Sequence, residues 1–295
     1  MMTPFELVNL SMTSSRAKRS VTIFSKIKSR FQITLDLFTD DSSFNIKGNK
    51  RDWTYGWLPR RRCRTKDVIS GSTYIYKMTE NPREDCMEWY GRMNGVLGRR
   101  INRAYVWSLN KSVTGWLQLQ QESFEDFLIF YSYHQDINYF LKKIKVFGSL
   151  NLFMYEKNNQ SRLEIPDEPF HLSIRDAHFI EYEQFMRLKH QEIVIYGSSL
   201  TYEDINKFLI SWMLCESHLG LKSLIITISG PETMTLRIEP PYQWTTDPNI
   251  LRQFAGSPFN VNVTKGVNIQ RCDGKIATIC AERIWNRWNI CLLVH

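Results

Sequence analysis

The sequence has no long apolar run. None approaches the ~20 residues needed to cross a bilayer, and Phe127–Tyr131 falls far short. Near Met1 there is no apolar core of about 7–15 residues followed by small ones, so no secretory signal is read there. The six cysteines, Cys63, Cys86, Cys215, Cys272, Cys280 and Cys291, include no C-x-x-C pair. A reduced cytoplasmic or nuclear protein is the simplest expectation, with most thiols serving as small buried hydrophobes. A phosphate-binding glycine loop is missing too: Gly91-Arg92-Met93-Asn94-Gly95 has the wrong spacing and no Lys-Ser/Thr. There is no G-x-S-x-G elbow, and Gly197-Ser198-Ser199 leads into a helix start instead. The six histidines show no ligand pairing. His171 and His178 are seven apart, but His171 lies in a strand pattern, which argues against a shared metal. The carboxylate pairs Glu125/Asp126 and Glu203/Asp204 are placed at helix beginnings, where the helix dipole accounts for them. No catalytic residue, cofactor or metal is therefore predicted, and the chain is not expected to be an enzyme.

What is present is material for a core. Residues are 43% hydrophobic and 13% aromatic, which excludes a disordered chain. A length of 295 residues fits about two domains or one large one. The net charge of +8 is unevenly placed. Residues 1–66 hold 14 Lys+Arg and 5 Asp+Glu, a balance of 14 − 5 = +9, while the rest hold 24 and 25, a balance of −1. A basic N-terminal segment is thus joined to a neutral body, and a nucleic-acid surface spanning the chain is not supported.

Thr3-Pro4-Phe5-Glu6 reads as a helix start, with Thr3 as cap, proline at the first helical position and Glu6 completing a capping box. A second helix starts at Thr13 or Ser14. In it Ala17, Val21, Phe24 and Ile27 form one stripe, and Arg16, Lys18, Arg19, Lys26 and Lys28 form either a solvated face or a binding surface. Phe31–Leu37 alternates strictly and predicts a half-buried strand. Phe44 to about Gly71 reads as irregular, with Arg60-Arg61-Arg62-Cys63-Arg64 in a surface loop.

Further strands are predicted at Gly115–Leu119, Ser149–Phe153, Phe170–Ile174, Glu192–Tyr196 and Ser223–Ile228. Leu150, Leu172 and Ile193 are spaced by 22 and 21 residues, within the range of leucine-rich repeats, although the next step, to Leu224, is 31. Thr201 caps a helix with Asp204 three residues on, and Ile205, Phe208, Leu209, Trp212 and Met213 line its buried face. Pro240, Pro241, Pro248 and Pro258 mark a loop-rich crossing. A hairpin then follows, Val267–Gln270 and Ile276–Cys280 about a turn at Asp273-Gly274, and Trp288–Val294 is the last strand. The expected fold class is α/β: a short N-terminal helical pair, then a mixed body with a curved leucine-rich-repeat-like sheet backed by helices and a C-terminal hairpin region. Ordinary strands of an α+β domain are the alternative.

Three stretches resemble one family. Residues 4–19, Pro4-Phe5-Glu6-Leu7-Val8-Asn9-Leu10-Ser11-Met12 through Arg19, look like the second half of an F-box. Residues 200–212, Leu200-Thr201-Tyr202-Glu203-Asp204-Ile205-Asn206-Lys207-Phe208-Leu209-Ile210-Ser211-Trp212, resemble the most characteristic part of a type 2 F-box-associated domain. Residues 269–279, from Ile269-Gln270-Arg271-Cys272-Asp273-Gly274, resemble its C-terminal hairpin. The order matches the large nematode group of F-box proteins.

The resemblance implies a partial F-box at 1–30, helices 2 and 3 only, and a target-binding body at 31–295, most characteristic at 190–230. It implies a substrate-recognition adaptor of a cullin-RING (SCF-type) ubiquitin ligase, whose partners are the ligase linker subunit, the cullin and a target protein. Pro4, Leu7, Leu10, Met12 and Arg16 would supply part of the linker interface. Leu200, Asp204, Asn206, Phe208, Leu209 and Trp212 form the family-motif helix, with a mainly structural role. The alternative function is nucleic-acid binding through residues 16–66, with Trp53, Tyr55 and Trp57 as stacking platforms beside the arginine run.

Overall fold

The computed structural model describes residues 4–27, 32–48, 51–59, 72–97, 100–154, 163–228, 242–256, 258–284 and 287–295. The arginine run at 60–64 lies outside them, as do Thr3 and Phe31. Packing divides the chain into two compact units, Met1–Phe147 and Gly148–His295.

The first unit opens with helices α1 (Pro4–Thr13) and α2 (Ser15–Ile27). Ser14 separates them and caps α2, its Oγ accepting from the Ala17 amide at 3.1 Å. Next come strands β1 (Gln32–Leu37), β2 (Ser42–Lys47), β3 (Asp52–Pro59) and β4 (Ser72–Thr79), then α3 (Pro82–Leu97) and β5 (Ile101–Trp107). The unit closes with α4 (Lys111–Gln120), β6 (Ser123–Ser132) and α5 (His134–Lys143). Its strands run in the order β6-β5-β1-β2-β3-β4. β5 is parallel to both β6 and β1, β1–β2 and β2–β3 are antiparallel, and β3–β4 is parallel. Helices α1 and α2 pack on each other and on α3, which lies against β2, β3 and β4.

Three expectations fail here. The segment after Phe44, read as irregular, forms β2 and β3 with Phe44 opposite Tyr55. Phe44, Tyr55, Trp57 and Trp89 make one aromatic cluster, with ring centroids 4.2–5.8 Å apart. The glycine that disguised β3 is required there, because a Cβ on Gly56 would lie 2.5 Å from the Tyr76 ring. Gly115–Leu119, read as a strand, belongs to α4. Asn110 caps that helix by accepting from the Val113 amide at 2.9 Å, and Val113, Thr114 and Leu117 face the core at helical spacing. Glu125 and Asp126 lie in β6 and start no helix; Asp126 pairs at 2.7 Å with Arg103, its neighbour across the β5–β6 ladder.

The second unit contains β7 (Lys145–Met154, whose first three residues precede the boundary), β8 (His171–Arg175), α6 (Tyr182–Met186), β9 (Glu192–Ile195), α7 (Tyr202–Met213) and β10 (Ser223–Ile228). β11 (Tyr242–Thr245), α8 (Pro248–Phe254), β12 (Gly266–Gln270), β13 (Ile276–Ile284) and β14 (Arg287–Val294) follow. The strand order is β7-β8-β9-β10-β14-β13-β12-β11. The first four are mutually parallel, and the rest join antiparallel. Leu150 pairs with Leu172, Leu172 with Ile193 and Ile193 with Leu224, so the spaced leucines form one ladder across four strands.

Every residue of β10 is buried, as a central strand covered on both faces requires. On one face Val194 and Ile225 meet Leu251 and Phe254 of α8, together with Phe259 and Cys280. The proline-marked crossing is therefore partly helical. Pro248 occupies the first helical position of α8 behind the cap Asp247, which accepts from the Asn249 amide at 2.9 Å. The predicted C-terminal hairpin is β12–β13, turning at Gly274 with φ +91°. The fold is α/β, a mixed arrangement of parallel strands and helices that ends in antiparallel hairpins.

Candidate functional site

Apolar spacing on α1 buries Leu7 and Val8, and the first-turn Pro4 is buried with them. Val21 anchors α2 in the same way. Of the five residues with an implied linker role, Leu10, Met12 and Arg16 reach the surface, whereas Pro4 and Leu7 pack inside the unit. Met12 is 66% exposed, and Ile23 of α2 is 63% exposed. Lys18 and Arg19 are solvent-facing beside them in the sequence.

The family-motif helix is α7. Leu200, Ile205, Phe208, Leu209 and Trp212 are buried, as their spacing predicts. Asp204 completes a capping box with Thr201: the Asp204 amide donates to Thr201 Oγ1 at 3.3 Å, and the Thr201 amide donates to Asp204 Oδ2 at 3.0 Å. Asn206 is half-buried, and its Oδ1 has no hydrogen-bond partner among the described residues.

The end of α7 meets the β12–β13 turn, so two of the family-like stretches come together in space. Cys272 donates its amide to Met213 O at 2.8 Å, and its sulfur is bonded to that of Cys215. Arg271, only 3% exposed, holds Asp273 bidentately at 2.9 and 2.7 Å, donates to Leu219 O at 3.1 Å and lies 5.2 Å from the Trp212 ring centre. The guanidinium holds the Asp273 carboxyl down at about 2. The sequence pattern did not reveal Arg271 or the disulfide, because 57 residues separate the two cysteines and no local motif joins them. The disulfide corrects the expectation of reduced thiols at Cys215 and Cys272. Cys86, Cys280 and Cys291 are free and buried as expected, and burial raises all three thiols.

Beside this junction is a cavity of about 890 Å³ lined by Leu163, Gln184, Lys189, Glu216 and His218, among others. Lys189 is paired with Asp167 at 2.7 Å. His218 sits between the rings of Phe185 and Phe208, with centroids at 5.2 and 5.1 Å, and burial drives its pKa down to about 4. The Phe185 carbonyl favours the protonated ring slightly, but neither ring nitrogen makes a hydrogen bond of normal geometry.

In the first unit, Asp36, Asp40, Asp41, Phe38 and Trp107 line a cavity of about 550 Å³. Burial raises the Asp36 carboxyl to about 6, opposed by the Ser43 hydroxyl, which donates at 3.1 Å. Cys86 lies near enough to feel that charge, and its thiol is held protonated, so it is a poor nucleophile. Among the described residues no cluster of three or more His, Cys, Asp or Glu is placed to hold a metal, and no helix is long and apolar enough to cross a membrane. Tyr55 and Trp57, expected as stacking platforms for nucleic acid, are buried in the aromatic cluster and offer no face to a base. No protein-family model, no curated protein and no solved structure matches this chain.

Proposed function

We propose that this chain is a substrate-recognition adaptor of a cullin-RING (SCF-type) ubiquitin ligase, working in the cytoplasm or nucleus. The α1–α2 pair engages the ligase linker subunit, and residues 31–295 hold the target protein. The supporting observation is the character of the helical pair. It is anchored inside its unit by Pro4, Leu7, Val8 and Val21, yet leaves Leu10, Met12 and Ile23 in solvent close in sequence to Arg16, Lys18 and Arg19. Exposed apolar side chains next to cations suit a partner surface that is apolar at its centre and acidic around it. An adaptor breaks no bond itself; it brings the target and the ligase together. Nucleic-acid binding has lost two of its three stacking platforms to the core.

The test is co-precipitation of the purified full chain with the linker subunit. Fully burying an apolar side chain contributes roughly 1.5–3 kcal/mol, and each 1.4 kcal/mol is tenfold in affinity. The double substitution Leu10→Asp with Met12→Asp should therefore weaken binding at least about 100-fold. Leu119→Asp, at an 84% exposed site on α4, should leave it unchanged. Failure of the unmodified chain to retain the linker, or equal retention by the double variant, ends the proposal.

A further inference from the structure

The carboxyl ends of β8, β9 and β10 open into a separate concavity of about 460 Å³. Crevices at the carboxyl ends of parallel strands are where α/β sheets place ligands. Arg175 is the last residue of β8, and its guanidinium stacks on Phe153 of the neighbouring strand at 4.8 Å and on Tyr196 at 5.5 Å. Arg287, at the start of β14, arrives from the other side. Its Nη1 is 3.4 Å from where a Cβ on Gly197 would lie, and the Asp176 Cα is equally close to that point.

Gly197 has φ +73° and Asp176 φ +59°, so both walls turn through the left-handed region. The turns are braced: the Ala177 amide donates to Tyr196 O at 3.0 Å, and Ser198 Oγ donates to Thr227 O. Below them Thr227 Oγ1 donates to Asn289 Oδ1 at 2.6 Å, which leaves the amide NH2 as the donor end of Asn289. Neither arginine forms an ion pair with a described residue, although Asp176 lines the same concavity. Two cations share a small space with one carboxylate, and their mutual repulsion falls when an anion lies between them.

We propose that this concavity binds a phosphate monoester, gripped by Arg175 and Arg287 from opposite sides. A carboxylate has two oxygens and fills one guanidinium fork, whereas a phosphate monoester offers three terminal oxygens and can engage both. Asp176 at the rim repels the doubly charged form and moderates affinity. The site does not depend on the ligase proposal, since it requires no linker and no ubiquitin chemistry.

The experiment is calorimetric titration of the full chain with four probes: a short neutral peptide carrying phosphoserine, the same peptide with serine, the same with glutamate, and glucose 6-phosphate. Saturable binding of a phosphorylated probe is expected, with the serine and glutamate peptides at least about tenfold weaker. Arg175→Gln and Arg287→Gln should each weaken it at least about tenfold. Asp176→Asn, which tolerates the left-handed backbone, should tighten it several-fold. Preference for the phosphopeptide over the sugar phosphate assigns the site to a modified protein, and the reverse assigns it to a small metabolite. No saturable binding of either phosphorylated probe, or binding indifferent to both arginine substitutions, overturns the proposal.

Discussion

Trp212→Ala removes the largest fully buried side chain among the described residues. Truncating a buried Trp to Ala costs about 3–5 kcal/mol through lost transfer energy and the cavity left behind. The contact with the Arg271 guanidinium at 5.2 Å goes with it, a further contribution of about 1–2 kcal/mol in a desolvated setting. One component runs the other way: the indole Nε1 has no hydrogen-bond partner among the described residues, and its removal relieves an unmade bond of about 1–3 kcal/mol. The expected net loss is about 4 kcal/mol, most of the stability of a unit near the low end of the usual ~5–15 kcal/mol range. Trp212→Phe keeps an aromatic face for Arg271 and drops the orphaned N–H, so it should cost less than half as much. Ile210 lies two residues earlier on the opposite face and is 46% exposed; Ile210→Ala should stay within about 0.5 kcal/mol. Urea unfolding of the full chain gives these differences, and hydrogen exchange at the α7 and β10 amides assigns them to the second unit. A Trp212→Ala loss below about 1 kcal/mol, or an equal loss for Ile210→Ala, would mean that α7 is not docked through its aromatic stripe.

Two further outcomes follow. His218 is held near 4 when folded and titrates near 6.5 when unfolded, so between those values only the unfolded chain binds the proton. The His218 contribution to the second unit is therefore full above about pH 6.5 and falls by up to about 1.4 kcal/mol per pH unit down to about pH 4, whereas Asp36 of the first unit, raised to about 6, acts with the opposite sign between about pH 4 and 6. His190, also lowered by burial, acts with the same sign as His218. His218→Asn, which does not titrate and tolerates the left-handed backbone at this position (φ +50°), should reduce the slope of the second unit's urea midpoint against pH, and an unchanged slope would remove His218 as the cause. The Cys215–Cys272 bond closes a loop across 57 residues, for which chain entropy gives about 4 kcal/mol. Dithiothreitol or Cys215→Ala should lower the second unit's unfolding midpoint accordingly, and a thiol titration blind to reductant would show that the bond is absent in solution.

Strands and helices whose pattern was self-sufficient were legible in the sequence. Strict alternation identified β1, and a cap followed by an unbroken apolar stripe identified α7. Legibility failed where one residue type had two uses. Gly115–Leu119 reads as a short apolar strand, yet Asn110 supplies a cap and the burial of Val113, Thr114 and Leu117 selects a helix. Gly56 and the tryptophans beside it hid β3, because the glycine is explained only by a ring on the next strand. Pro248 reads as part of a loop-rich crossing, but Asp247 is a cap that makes it a first-turn proline. Asp126 read as a helix-start acid because its partner Arg103 is 23 residues away.

The site was less legible for a related reason. Spacing correctly tied Leu150, Leu172 and Ile193 together, but the longer step to Leu224 looked like a break in the pattern. In the sheet there is no break: Ile193 pairs with Leu224 just as Leu172 pairs with Ile193. The β8–β9 connection carries the five-residue α6, whereas the β9–β10 connection carries the twelve-residue α7. The extra chain is taken up outside the sheet, and register is kept because a slip of one residue would turn every buried side chain of β10 to the opposite face. Register, not chain spacing, is therefore the conserved quantity along these strands. The same ladder explains why the juxtaposition of Arg175 and Arg287 is not legible in the sequence, where they stand 112 residues apart in a body of nearly balanced charge. They become neighbours of Gly197 only when β8, β9, β10 and β14 are laid side by side.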